Sequence, residues 1–150
     1  MKPIKIESKK IFQLEFAEYN PRTISKKEYK DLKKSITKFG IVVPIIVNTN
    51  KDRENVIIGG HQRIRVLQDL GHEDVLCALV DLPIDKEMEL NLRLNKNGGQ
   101  FDDDLLINYF DEELLFEVGF TVNDLDINID KYEDNTKQED TKEVCECCGK

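Results

Sequence analysis

Ten consecutive residues, Val56-Ile57-Ile58-Gly59-Gly60-His61-Gln62-Arg63-Ile64-Arg65, put three chemical elements side by side. A β-branched run comes first, two glycines follow, and a helical pattern then opens on His and Arg. Paired glycines let backbone approach an anion closely. The first-turn amides of a helix have no internal acceptor, so those amides and the helix dipole favour a phosphate at such a turn. Arg63 adds a planar fork of donors that matches phosphate oxygens. His61, with an ordinary pKa of ~6.5, could serve as acid, base or simple hydrogen-bond donor. A strand, two glycines and a helix also make a plain tight turn, so the construction alone leaves anion seat and simple corner equally open.

Other polar groups qualify in different ways. In Glu18-Tyr19-Asn20-Pro21-Arg22-Thr23, Pro21 pushes Asn20 toward extended geometry, so Arg22 is presented from irregular backbone. Cys145 and Cys148 have the two-residue spacing of zinc ligands, but the second half of a four-ligand site is missing, so Cys145, Cys147 and Cys148 read as a thiol-rich tail without a fixed metal. Cys77 stands alone in an apolar run and reads as a buried small hydrophobe. Asp102, Asp103, Asp104, Asp111, Glu112 and Glu113 crowd at helix starts, where negative charge suits the dipole, and read as caps rather than as a metal cluster.

The elements that must position these groups follow from periodicity. Pro3 to Ile6 and Ile11 to Phe16 alternate apolar with charged residues as half-buried strands do. Ser25 with Glu28 has the capping-box form, and the helix it opens runs to Gly40. Its apolar members Tyr29, Leu32, Ile36 and Phe39 repeat at three and four residues, leaving Lys26, Lys27, Lys30, Lys33, Lys34 and Lys38 on an outer face. Without interleaved aromatics that face reads as solvated rather than as a single-strand platform. Val42 to Val47 and Asn55 to Ile58 read as buried strands joined by the polar turn 48–54. A helix then brings Ile64, Leu67 and Leu70 inward and stops at Gly71. Val75 to Leu82 is another strand, and Asp85 opens a helix to about Asn95.

Strands alternating with helices indicate a small α/β domain over residues 1–97. Residues 98–127 have short helical spacing with caps at Asp102 and Asp111 and a stop at Gly119, and read as an appendage, since so few residues cannot bury a core alone. Residues 128–150 are acidic and are expected to be disordered. No internal repeat is visible. The chain has 150 residues and a net charge of −8, but residues 1–100 hold 18 Lys and Arg against 14 Asp and Glu, and residues 101–150 hold 4 against 16. A local positive site in the first part is therefore compatible with an acidic whole. No stretch approaches the ~20 apolar residues of a membrane span, and the N-terminus lacks the apolar block of a signal peptide, so the expected location is the cytoplasm.

Three features occur in order: Asn20-Pro21-Arg22, Gly40-Ile41-Val42-Val43-Pro44-Ile45-Ile46-Val47, and Ile58-Gly59-Gly60-His61-Gln62-Arg63 ahead of Leu70-Gly71. Over roughly residues 3–97 the chain resembles the ParB N-terminal domain and sulfiredoxin superfamily. Leu90-Asn91-Leu92-Arg93-Leu94-Asn95-Lys96 with Gly99 and Phe101 is similar to the continuation in ParB-like proteins of phages and mobile elements, which often accompany DNA methyltransferases. The resemblance implies a fold in which Gly59, Gly60, His61, Gln62 and Arg63 hold nucleotide phosphates and Arg22 faces the same pocket. It also implies that Asn91, Arg93 or Asn95 approaches the phosphates or Mg2+. The family pattern there is Glu-Asn-x-x-Arg, whereas this chain offers Glu89-Leu90-Asn91-Leu92-Arg93, which leaves the register open.

Departures from the pattern narrow the activity. Sulfiredoxins need a cysteine after the paired glycines, where this chain has His61. The DNA-segregation proteins carry Glu-Arg-Arg in place of His61-Gln62-Arg63 and need a helix-turn-helix and dimerisation region for which 150 residues leave no room. The free-serine kinases carry Gly-His-His-Arg but have an acid where Gly59 stands, so a kinase would draw its general base from Glu18, His61 or Asp81. Phosphoryl transfer requires mainly positioning and charge stabilisation, which helix-start amides, two arginines and Mg2+ could supply. The expectation is an ATP- or CTP-binding, Mg2+-dependent ParB-like protein of phage or mobile-element DNA metabolism, acting as a phosphotransferase or NTPase. The alternative is a non-catalytic adaptor that contacts DNA or a DNA methyltransferase.

Overall fold

A computed structural model describes residues 1, 3–99, 101 and 103–125. The cysteines at 145, 147 and 148, the acidic segment 128–150 and the cap at Asp102 lie outside the described residues. The chain divides between residues 100 and 101 into two compact units.

The first unit is a mixed sheet with helices on both faces. Its strands are β1 (Lys5–Lys10), β2 (Glu15–Phe16), β3 (Ile45–Asn48), β4 (Val56–Gly59) and β5 (Asp74–Val80), and its helices α1 (Lys26–Phe39), α2 (His61–Asp69) and α3 (Ile84–Lys96). The strand order is β1-β5-β3-β4-β2, with β1 antiparallel to β5, β3 parallel to β5 and antiparallel to β4, and β2 parallel to β4. On one face Ile45, Val47, Ile57 and Cys77 pack against Ile36 of α1 and Ile64 and Leu67 of α2, all buried. Each aliphatic side chain among them contributes roughly 1.5–3 kcal/mol by leaving water. The helix–strand alternation read from periodicity is therefore observed.

Ser25 and Glu28 close a full capping box on α1, and Gly40 ends it at φ +74°. Three strands differ from their sequence reading, and the first, read at Pro3 to Ile6, is found at Lys5–Lys10. The run from Val42 becomes strand only at Ile45, and Val42 and Val43 are 78% and 58% exposed. Pro44 has no N–H for the ladder, so pairing cannot start before it. Likewise Ile11 to Phe16 is not one strand. Residues Ile11–Gln13 form a 3-10 turn in which Ile11 N–H donates to the Glu73 carbonyl and Leu14 N–H to that of Ile11, so the alternation there records a corner.

The second unit holds two short helices, α4 (Asp103–Tyr109) and α5 (Glu112–Val118). Leu106, Leu115 and Leu125 are buried together with Phe120 against them. Asp111 occupies the N-cap position of α5 without a side-chain capping bond, and Gly119 ends that helix at φ +112°.

Candidate functional site

Topology brings the chemistry to one end of the sheet. β4 leaves the sheet at Gly59, Gly60 turns the chain at φ +102° and ψ 19°, and α2 begins at His61. Because β2 runs parallel to β4, the loop that follows it, with Asn20, Pro21 and Arg22, emerges at the same end. β3 runs the other way, so its start at Ile45 lies there too. Between these segments is a cavity of about 260 Å³. The glycine turn and first residues of α2 (Ile58 to Arg63) form its floor, Asn20, Arg22 and Ile24 one wall, Glu28 and Leu32 of α1 another, and Asn95 of α3 the last.

Positive charge dominates the lining. The Arg63 guanidinium lies against Gly60, and its Nη1 donates to the carbonyls of Val43 and Pro44. Burial first, and repulsion from Arg22 second, push its pKa down. Among the described residues neither Arg22 nor Arg63 has a salt bridge. The lining carboxylate, Glu28, accepts the Ser25 N–H at 2.6 Å and is committed to the α1 cap. The first backbone hydrogen bond of α2 runs from Ile64 N–H to the Gly60 carbonyl, so the amides of His61, Gln62 and Arg63 precede it without a helical acceptor. Charge and open amide donors of this kind are complementary to an anion.

His61 has a double attachment. It is 6% exposed, its ring is tilted against Phe16 at 6.0 Å, and its Nε2 accepts the Ala17 N–H at 3.3 Å. That bond places the ring proton on Nδ1. Desolvation, with the Arg65 charge behind it, lowers the pKa to about 4, so the ring is neutral near pH 7. The folded-state pKa lies below the unfolded ~6.5, so the unfolded chain takes up the proton first as pH falls. Stability is full above about pH 6.5 and is lost progressively down to about pH 4, by up to about 3 kcal/mol. Urea denaturation at pH 7.5, 5.5 and 4 should show this slope, and His61→Gln should flatten it.

Of the other residues singled out from sequence, Asn91 sits just behind the cavity. It is buried, and its Nδ2 donates to the Ile58 carbonyl at 2.8 Å and to Asn20 Oδ1 at 3.3 Å. Asn95 Nδ2 donates to Asn91 Oδ1 at 3.3 Å. Arg93 is two residues out of phase with that face and pairs with Glu89 in solvent. Asp81 follows β5, whose Val80 pairs with Asn48, the end of β3 away from the glycine turn; its carboxylate accepts from Asn50 instead. Glu18 is exposed and not in the lining. The cavity thus unites Arg22, Gly59 to Arg63 and Asn95, but not Glu18, Asp81 or Arg93.

Sequence reasoning missed Glu87. It is fully buried, and its carboxylate accepts from Tyr19 Oη at 2.7 Å, Asn48 Nδ2 at 2.6 Å and Arg53 Nη2 at 2.8 Å. Burial opposes its ionisation, but these bonds outweigh it and hold the carboxyl below its usual range. Burial and the Glu87 carboxylate raise the Tyr19 phenol. The available signal was the i, i+4, i+8 spacing of Glu87, Asn91 and Asn95, a polar stripe on a helix that otherwise reads as amphipathic.

Fold and site together define a small mixed α/β domain with a cationic cavity over a strand–glycine–helix turn. Residues 4–97 match the family model of the ParB N-terminal domain, and the chain belongs to that family. It is 35% identical over 75 residues to the probable chromosome-partitioning protein ParB of Campylobacter jejuni, a match covering 49% of this chain and 27% of that relative. The chain therefore spans about a quarter of the length of the curated relative it matches. Among solved structures it is similar to the C-terminally truncated chromosome-partitioning protein ParB from Caulobacter crescentus complexed with CTP-gamma-S, at TM-score 0.62, 21% identity and coverage of 81% of this chain and 74% of that one. A Pnob8-like ParB-N domain matches at TM-score 0.55 and 21% identity, covering 91% of this chain and 52% of its own. These structural likenesses establish the fold. Among the described residues no helix is long and apolar enough to cross a membrane.

Proposed function

We propose that the chain binds a nucleoside triphosphate, ATP or CTP, through its phosphates in the cavity over the glycine turn. The observation that carries this is the meeting of Arg22 and Arg63, neither salt-bridged among the described residues, beside the acceptor-less amides of α2. A cavity of about 260 Å³ is small for a whole nucleotide but suits its phosphates. That the Caulobacter crescentus ParB was solved with CTP-gamma-S accords with this reading. The residues fit Mg2+ only indirectly. With Glu28 committed to its cap, the ion would be held mainly by phosphate oxygens and water, with the Asn95 side-chain oxygen as protein ligand, and would neutralise phosphate charge.

Calorimetry with ATP, CTP, GTP and ADP plus Mg2+ tests the proposal. Binding of at least one is expected, and no binding by any rejects it. Of the three general-base candidates only His61 reaches the lining, and its Nε2 already accepts a hydrogen bond. The geometry therefore favours binding over phosphotransfer or NTP hydrolysis. Label passing from γ-labelled ATP to serine or hydroxymethylated DNA would reverse that order.

A second reading is an adaptor for DNA, or for a DNA-modifying enzyme, in phage or mobile-element DNA metabolism. It is favoured by continuity of charge. The cavity shares Ile24 and Gln62 with a neighbouring depression lined by Lys26, Lys30 and Arg65, and Lys30 continues into the face with Lys33, Lys34 and Lys38. Tyr29, Leu32 and Ile36 point α1's apolar side inward, so this basic face is turned to solvent. If it carries DNA, affinity should fall steeply with salt, and Lys30→Glu with Lys34→Glu should flatten log Kd against log salt by about one unit per lysine. A salt-independent affinity would count against this reading.

A further inference from the structure

The cavity has two halves on different segments, and something must hold them in register. The glycine turn belongs to the sheet and to α2. The Arg22 loop does not, because Glu18, Pro21, Arg22 and Thr23 are all exposed, Tyr19, Asn20 and Ile24 are only half-buried, and Ala17 is the last buried side chain before the loop. Apolar packing therefore leaves the loop's position undetermined. Three polar attachments supply it. Ala17 N–H reaches His61, Tyr19 Oη reaches Glu87, and Asn20 Oδ1 accepts from Asn91. Two of the three come from one face of α3, one helical turn apart. Asn91 also grips the Ile58 carbonyl, the last group before the paired glycines, with the same amide that holds Asn20.

We propose that Glu87 and Asn91 are positioning residues of the anion site, holding the Arg22 loop, through Tyr19 and Asn20, at a fixed place over the glycine turn. The inference rests on the nucleotide-phosphate reading of that cavity. A buried carboxylate–guanidinium pair is weak evidence for stability alone, since apolar replacements of such pairs are often neutral or better. Here the pair has a geometric role, because Arg53 and Asn48 keep Glu87 ionised and immobile while Tyr19 is suspended from it. The stripe continues to Asn95, which lines the cavity and bonds back to Asn91. One helix face thus spans both halves of the site.

Tyr19→Phe is the test, because it keeps the ring and leaves Glu87 with its Asn48 and Arg53 partners. Affinity for CTP or ATP with Mg2+ should fall about tenfold, while the urea midpoint moves little. The same change in an Arg22→Ala background should cost almost nothing further, since its effect is transmitted through that arginine. Amide hydrogen exchange should accelerate at Ala17 and Asn20, whose N–H groups are bonded to His61 and to the Ala17 carbonyl, and not in α2. An equal loss in both backgrounds, an unchanged affinity, or exchange as slow as in the unaltered chain overturns the inference. Should Tyr19→Phe lower the urea midpoint substantially, the exchange pattern still decides: acceleration spread over the sheet marks a structural residue and overturns it. If the unaltered chain binds no nucleotide, the reading of the cavity fails first and takes this inference with it. Binding that Tyr19→Phe leaves intact removes the inference alone.

Discussion

Arg63→Ala is expected to weaken nucleotide binding by about 100-fold, on the scale of one lost charge-assisted pair of hydrogen bonds to phosphate. The reason is where this guanidinium stands. Its Nη1 is held by the carbonyls of Val43 and Pro44, which leaves the remaining edge fixed beside Gly60 before any ligand arrives. A pre-placed donor loses little conformational entropy on binding. The fold should survive the change, because Val43 is exposed and water can take over its carbonyl. Arg63→Lys keeps the charge but not the fork, and should give an intermediate affinity. Lys30→Ala, remote from the glycine turn, should leave calorimetric affinity for CTP or ATP unchanged. Equal binding by Arg63→Ala and the unaltered chain would remove the anion seat from this turn.

Gly60→Ala should destabilise the protein by about 3 kcal/mol and abolish binding as well. Two costs add. At φ +102° any L side chain is strained, and the new Cβ would lie 2.6 Å from Ile45 Cδ1 and 3.0 Å from Arg63 Nη2. Ile45 is fully buried and cannot retreat, so the turn or the guanidinium must move. Gly59→Ala is the internal comparison. Its Cβ would meet the side-chain atoms Leu94 Cδ1 at 3.2 Å and Ile46 Cδ1 at 3.3 Å, and Gly59 has no positive φ, so a cost under about 1 kcal/mol is expected. Urea midpoints of the two variants decide the matter: similar values would mean that the turn is not strained and that Gly60 is interchangeable with its neighbour.

The legible parts of this protein are those with local causes. Ser25 and Glu28 announce the start of α1 because a capping box is closed by residues three apart. Gly40 and Gly71 announce helix ends because a left-handed backbone selects glycine. The second of the paired glycines after a β-branched run, Gly60, announces the turn at the cavity for the same reason. Val42 and Val43 misled because β-propensity describes a residue and not its neighbours, and the next residue was a proline without an N–H. Arg93 and Asp81 looked as eligible as Asn95, since spacing alone does not set the phase of α3 or the end of the sheet to which β5 delivers its last residue.

The chain of residues alone was enough for the α/β class, the order of the main elements, and the place of the strand–glycine–helix turn, since each rests on hydrogen bonds or periodicities spanning a few positions. Folding in three dimensions added what lies 44 to 71 residues apart in sequence: Ala17 on His61, Tyr19 on Glu87, Asn20 on Asn91. A buried carboxylate on α3 carries no local mark of the partner it will meet. Its meaning came from parallel pairing of β2 with β4, which brings the arginine loop and the glycine turn out at one end of the sheet, within reach of a single helix face.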